Sequence, residues 1–300
     1  MTAPTKTTLE NQAGTEPHHH SHHSLRSEAT KLGLQMYSRI SREGAGKLVD
    51  QLFFTPGRLP MPSRFEYLLD EADSHTQLHH GAHILPVYSW GEGPAVLMVH
   101  GWSGAGIQFG AYIDPLVRAG YRVVLFDAVG HGRAQGMHTD LSEMADIVKQ
   151  VGRNVGSLHG IIAHSEGCLA AARAVVDGLE SRHMVMLTPA VDMIMVLDRL
   201  ADTLGITRDL MMEHEERFEA RLGRDIWTRM SLYALAPQLE PEGLIVVDRD
   251  DDIEPAARGE EVHLKWPGSS LLRTQGLGHE QVLWSPEVLE PVVQKLTTAN

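Results

Sequence analysis

Three observations predict an α/β architecture built on a mostly parallel central sheet with helices on both faces. Short unbroken apolar runs recur along the chain, at residues 95–99, 123–126, 184–187 and 243–247. A strand with one wet face alternates apolar and polar residues, whereas a strand buried on both faces has no need to. Between the runs lie stretches with helical spacing of apolar residues, the alternation expected of βα units. Finally, residues 160–172 pass from an apolar run into an alanine-rich helical pattern, with Ala-His-Ser-Glu-Gly between them. A strand that reverses sharply into a helix crowds its own backbone. Ala163 and Gly167 supply small residues two positions either side of Ser165, which lifts the Ser165 hydroxyl clear of the sheet at a helix N-terminus.

Composition bounds the function. Three hundred residues suit one α/β domain with an insertion. The net charge of −13 argues against a nucleic acid or an anionic membrane surface as partner. The single cysteine, Cys168, rules out an internal disulfide, suits a reducing compartment and is expected to pack as a small buried residue. No apolar run approaches the ~20 residues of a membrane span, and the polar N-terminus has no signal-peptide apolar region. The expectation is a soluble, cytoplasmic protein.

Taken in order, residues 1–24 lack periodicity and are expected to form a disordered tail. Its run of histidines at 18–23 suits either weak transition-metal binding or a plain solvated segment. Residues 25–78 are expected to hold an N-terminal helix, broken near Gly44 and Gly46, and an extended connection through Pro56, Pro60 and Pro62. The core is expected over 79–188 and 242–300. It opens with an edge strand from His83 to Trp90 and a buried strand at 95–99 that ends in His100-Gly101-Trp102. A helix with Phe109, Ile113, Leu116 and Val117 on one face stops at Gly120. The strand at 121–126 ends in Asp127-Ala128-Val129-Gly130-His131-Gly132-Arg133, and a helix capped by Thr139 or Asp140 leads to the Ser165 turn. Residues 189–241 form a helical insertion between the sixth and seventh strands. Its methionines, Met193, Met195, Met211, Met212 and Met230, either line an adaptable apolar pocket or pack the insertion onto the core. The seventh strand opens onto a loop with four carboxylates, Asp248, Asp250, Asp251 and Asp252, without the glycine and final glutamate of an EF-hand. The eighth strand, at 271–275, is followed by Gly276-Leu277-Gly278-His279, then by a helix from about Pro286.

The Ser165 turn resembles the nucleophile elbow of the α/β-hydrolase superfamily, with Ala163 in place of the first glycine of G-x-S-x-G. The 127–133 loop resembles that superfamily's D-x-x-G-H-G-x-S loop, with Ala134 at the serine position, and is expected to be a scaffold turn. The resemblance extends from about residue 79 to 297. Thr55-Pro56 and the segment 274–279 resemble a bacterial subgroup of α/β-hydrolases with poorly defined substrates.

The resemblance implies a catalytic Ser165, with His279 as its base and Asp251 as the acid that orients the base. Asp251 lies four residues before Pro255, the register usual in the superfamily; Asp248 and Asp250 remain as alternatives. The chain order Ser, Asp, His is that of the superfamily. It also implies oxyanion donors in the backbone N–H groups of Trp102 and Glu166, with His100 as a structural hydrogen-bonding residue. The chemistry needs these types. Serine is a weak nucleophile until a neutral imidazole takes its proton, and a carboxylate fixes the imidazole tautomer.

The expected function is a serine hydrolase cleaving a carboxylic ester of a small or medium-sized acyl substrate through an acyl-enzyme, with no cofactor and no metal. Thioester or lactone hydrolysis, or acyl transfer, would use the same residues. A proline-type peptidase would draw on Glu213, Glu215, Glu216 or Glu219 for a substrate amine, and a silent ligand-binding protein would need no chemistry. An aspartate nucleophile, as in haloalkane dehalogenation, is disfavoured by Ser165.

Overall fold

The computed structural model describes Gly33 and residues 36–297; the expected tail at 1–24, with its histidine run, lies outside the described residues. Among these residues eight strands pair into one sheet: β1 (Ser74–His80), β2 (His83–Trp90), β3 (Ala95–Val99), β4 (Arg122–Phe126), β5 (Leu158–His164), β6 (Ser181–Leu187), β7 (Glu242–Asp248) and β8 (Ser269–Thr274). Their order is β1-β2-β4-β3-β5-β6-β7-β8. β2 is antiparallel to both β1 and β4, and every later pairing is parallel.

The apolar runs are unbroken because both faces of the sheet are covered. Along β3, Ala95, Leu97 and Val99 enter one apolar cluster while Val96 and Met98 enter the other. Among the described residues, eight longer helices surround the sheet: α1 (Arg42–Phe53), α2 (Gly110–Arg118), α3 (Leu141–Val155), α4 (Glu166–Val176), α5 (Met193–Leu204), α6 (Arg208–Leu222), α7 (Ala256–Lys265) and α8 (Pro286–Thr297). The first cluster takes Met144 and Val148 of α3, Leu169 of α4 and Val262 of α7. The second takes Ile113 and Leu116 of α2 and Val288 and Val292 of α8. Cys168 is fully buried in the first. Asp140 caps α3, its carboxylate accepting the Glu143 N–H at 3.0 Å.

Two sequence expectations change. The strand at 83–90 is interior, because β1 pairs along its outer side, and the core boundary expected at residue 79 falls inside β1. β1 has no apolar alternation because most of its side chains face solvent. The N-terminal helix breaks at Ser41, whose hydroxyl accepts the Gly44 N–H at 3.1 Å, and then runs through Gly44 and Gly46. Gly46 serves close packing there: a Cβ would lie 2.9 Å from an Arg217 guanidinium nitrogen.

α5 and α6 lie between β6 and β7 in the chain. α6 packs on α1: Asp50 holds His214 at 2.5 Å and Arg217 at 2.6 Å, and Phe53 meets Phe218 edge to face at 5.3 Å. Among the described residues no helix is long and apolar enough to cross a membrane.

Candidate active site

Ser165 stands between the end of β5 and the start of α4 with φ 54° and ψ −128°. A non-glycine residue at positive φ costs about 1–3 kcal/mol and is kept only where its surroundings enforce it. Here they do. The Ser165 N–H donates to Leu187 O at 3.1 Å, and its carbonyl accepts from Cys168 at 3.0 Å and Ala190 at 3.2 Å. Gly167 lets α4 start against the end of β3, since a Cβ there would lie 2.7 Å from Val99 O.

The structure brings the three residues singled out for chemistry into one hydrogen-bonded series. Ser165 Oγ lies 2.9 Å from His279 Nε2, and His279 Nδ1 lies 2.8 Å from Asp251 Oδ2. The choice among the loop carboxylates is decided by partners. Asp251 also accepts the Ile253 and Glu254 N–H groups on Oδ1, at 2.8 and 2.9 Å. Asp248 has another task. It accepts the Thr274 hydroxyl at 2.7 Å and the N–H groups of Asp250, Leu277 and Gly278 at 2.9, 3.1 and 3.0 Å. It therefore ties the loop after β7 to the loop that carries His279. Asp250 is exposed. No group of His, Cys, Asp and Glu among the described residues is arranged to hold a metal ion.

Burial alone would lower the His279 pKa, but the hydrogen bond and charge of Asp251, helped by Glu166 and Glu254, raise it above its ordinary value. Behind His279 lies His164, whose Nε2 sits 2.9 Å from His279 O. Burial, then the neighbouring His279, pushes the His164 pKa down to about 3. His164 is therefore neutral and donates from Nε2 to that carbonyl, a contact that helps fix the His279 backbone.

The loops expected to be scaffold behave so. Asp127 accepts the Gly106 and Arg133 N–H groups, each at 2.8 Å. His100 is buried, with Nδ1 2.8 Å from Gly101 O and Nε2 accepting the Ala128 N–H at 3.1 Å.

Sequence reasoning missed a charged group beside the serine. The Glu166 carboxylate is buried, and its Oε2 accepts the Ser165 hydroxyl at 2.7 Å and the Trp102 N–H at 3.4 Å. Its Oε1 pairs with Arg199 of α5. Arg199 also holds Glu254 Oε1 at 2.5 Å. Burial would raise the Glu166 pKa, but Arg199 and the hydrogen bonds from Ser165 and its own backbone keep it below the usual glutamate value. Burial wins at Glu254, raising it to about 7 against the pull of Arg199, and its Oε2 has no hydrogen-bond partner. A glutamate directly after Ser165 was a readable signal. Arg199 was not, being one of many arginines in the helical insertion.

A cleft of about 490 Å³ opens over Ser165 and His279, bounded by Pro60, Pro62, Ile253, Leu283 and Trp284. The Arg64 guanidinium stacks 3.8 Å over the Trp284 ring at its edge. None of the insertion methionines lines the cleft: Met193, Met211 and Met230 pack in the core, and Met212 is exposed. Glu213, Glu215, Glu216 and Glu219 do not line it either; Glu213 pairs with Arg42 and Glu219 accepts Trp227 Nε1.

Residues 96–289 match the model of the alpha/beta hydrolase family, which spans more than half of the chain. The chain belongs to the α/β-hydrolase family. Solved structures agree with it in fold. An esterase from Exiguobacterium antarcticum is 20% identical with a TM-score of 0.58, covering 72% of this chain and 96% of its own. A monoacylglycerol lipase from Paleococcus ferrophilus is 20% identical with a TM-score of 0.56, covering 71% and 98%. A thioesterase domain from the curacin biosynthetic pathway is 16% identical with a TM-score of 0.52, covering 75% and 99%. No curated protein matches the chain.

Proposed function

We infer that this α/β-hydrolase cleaves a carboxylic ester of a small or medium-sized acyl substrate through an acyl-enzyme. The observation that carries the reading is the unbroken series Ser165–His279–Asp251, at 2.9 and 2.8 Å, set where β5, β7 and β8 end. Ser165 Oγ attacks the ester carbonyl carbon as its proton passes to His279 Nε2. Asp251 holds the imidazole tautomer and offsets the positive charge that forms. The backbone N–H groups of Trp102 and Glu166 receive the oxyanion; losing one such donor typically costs ~10²–10³ in rate. Collapse of the intermediate breaks the bond to the alcohol oxygen, which takes the proton from His279. Water, activated by the same imidazole, then attacks the acyl-serine and regenerates the free hydroxyl.

The helices between β6 and β7 act as a cap. Arg199 and Ile253 bring the insertion and the loop after β7 to the cleft wall. An ester fits better than a peptide with a free N-terminus, because the four insertion glutamates that would bind an amine do not line the cleft. The test is hydrolysis of p-nitrophenyl esters over a series of acyl lengths by the wild type and by Ser165→Ala. Turnover in the wild type that falls by about 10³-fold or more in the variant supports the assignment; equal rates in both proteins refute it.

A further inference from the structure

One of the two N–H groups assigned to the oxyanion, that of Trp102, is already engaged. Glu166 Oε2 takes the Trp102 N–H at 3.4 Å and the Ser165 hydroxyl at 2.7 Å. Gly101 makes room for this: a Cβ there would lie 3.0 Å from Ser165 Cβ and 3.5 Å from Glu166 Oε2. A carboxylate thus occupies the seat that the carbonyl oxygen of a bound ester must take. It is anchored from behind by Arg199, itself braced by Glu254.

A second cavity lies on the far side of this pair. It measures about 230 Å³ and is walled by Leu52, Phe53, Leu141, Val196 and Leu200. Glu166, Arg199 and Trp102 line both this pocket and the nucleophile cleft. The pair is therefore a partition between a polar reaction centre and an apolar chamber. Among the described residues, the only charged groups lining the chamber are Glu166 and Arg199 of the partition. Such a chamber suits an aliphatic chain, each buried methylene being worth about fourfold in affinity.

We propose that the Glu166 side chain is a displaceable stopper. The ester carbonyl oxygen displaces its carboxylate from the Trp102 N–H, and the acyl chain of an aliphatic ester enters the pocket that the stopper closes. This rests on the serine-hydrolase reading and names its substrate class: uncharged esters of medium-length aliphatic acids. The carboxylate keeps its partner, because the Glu166 side chain can turn Oε2 away from the serine while Oε1 stays on Arg199.

The test uses Glu166→Ala, Glu166→Gln and Leu200→Trp in the full chain, with melting temperatures to confirm folding. Two readouts are taken: the rate of Ser165 labelling by a fluorophosphonate probe, and kcat/KM for p-nitrophenyl acetate, butyrate and octanoate. Removing the competing carboxylate is expected to speed labelling and acetate hydrolysis about tenfold in Glu166→Ala, with Glu166→Gln between that variant and the wild type. Leu200→Trp is expected to cut the octanoate-to-acetate ratio at least about tenfold by filling the chamber. Slower or unchanged labelling in both Glu166 variants overturns the stopper. An unchanged ratio in Leu200→Trp overturns the acyl assignment of the pocket. If Ser165 is labelled in neither the wild type nor Glu166→Ala, the serine-hydrolase reading itself falls; labelling at equal rates sinks the stopper alone.

Discussion

Asp251→Asn tests the hydrogen-bonded series at its least obvious member. Asp251 Oδ1 accepts two backbone N–H groups, from Ile253 and Glu254, at 2.8 and 2.9 Å. An asparagine keeps those bonds only by leaving its carbonyl oxygen at that place. Its NH₂ group must then face His279 Nδ1, where Asp251 now accepts at 2.8 Å. Two donors cannot share that contact, so the imidazole moves its proton to Nε2 and presents N–H to Ser165 Oγ, 2.9 Å away. The base is lost although the geometry is kept. In serine hydrolases with this arrangement the wrong tautomer costs about 10⁴ in kcat, close to 5.5 kcal/mol of barrier. The assay is steady-state p-nitrophenyl ester hydrolysis, with a melting curve to show that the loop stays folded. A fall in kcat of less than about tenfold in a folded variant would refute the reasoning, because it would mean that His279 does not depend on Asp251 for its tautomer.

The pH dependence follows from the raised His279 pKa. The base must be neutral, so kcat/KM is expected to fall as pH drops through a value above 6.5, the ordinary histidine figure. The linked stability runs the other way: it is fully present below 6.5 and is lost as pH rises through the folded pKa. Glu254 titrates near 7 beside Arg199, so the profile is best repeated in Glu254→Gln, where the acid limb should persist; its disappearance would assign the limb to Glu254. Asp248→Ala strips four donors of their shared acceptor, and should cost about 3 kcal/mol or more in urea unfolding and lower kcat by misplacing His279. A loss under about 1 kcal/mol would show that the loop holds without it.

Much of this molecule was legible because the physics was local or repetitive. β3 to β7 read as apolar runs since both faces of the sheet are buried, and the Ser165 turn announced itself through the small residues its geometry demands. What escaped was set by tertiary contacts. β1 carries Ser-His-Thr-Gln-Leu-His-His, and only its pairing with β2 makes it a strand. Gly44 and Gly46 look like helix breakers, yet Gly46 lies against the Arg217 guanidinium of another helix. Among four carboxylates within five residues the spacing to Pro255 pointed to Asp251 but left Asp248 and Asp250 open, because turn hydrogen bonds decide which one reaches His279. The Glu166–Arg199 pair depends on where α5 crosses the site, which no local pattern records.

The most direct test of the central claim is to incubate the full chain with a fluorophosphonate, digest it and map the adduct by mass spectrometry. The account predicts a single covalent phosphonyl group on Ser165, lost in Ser165→Ala and formed at least about 10³-fold more slowly in His279→Ala. A folded protein that leaves Ser165 unmodified, or carries the adduct on another residue, would contradict it.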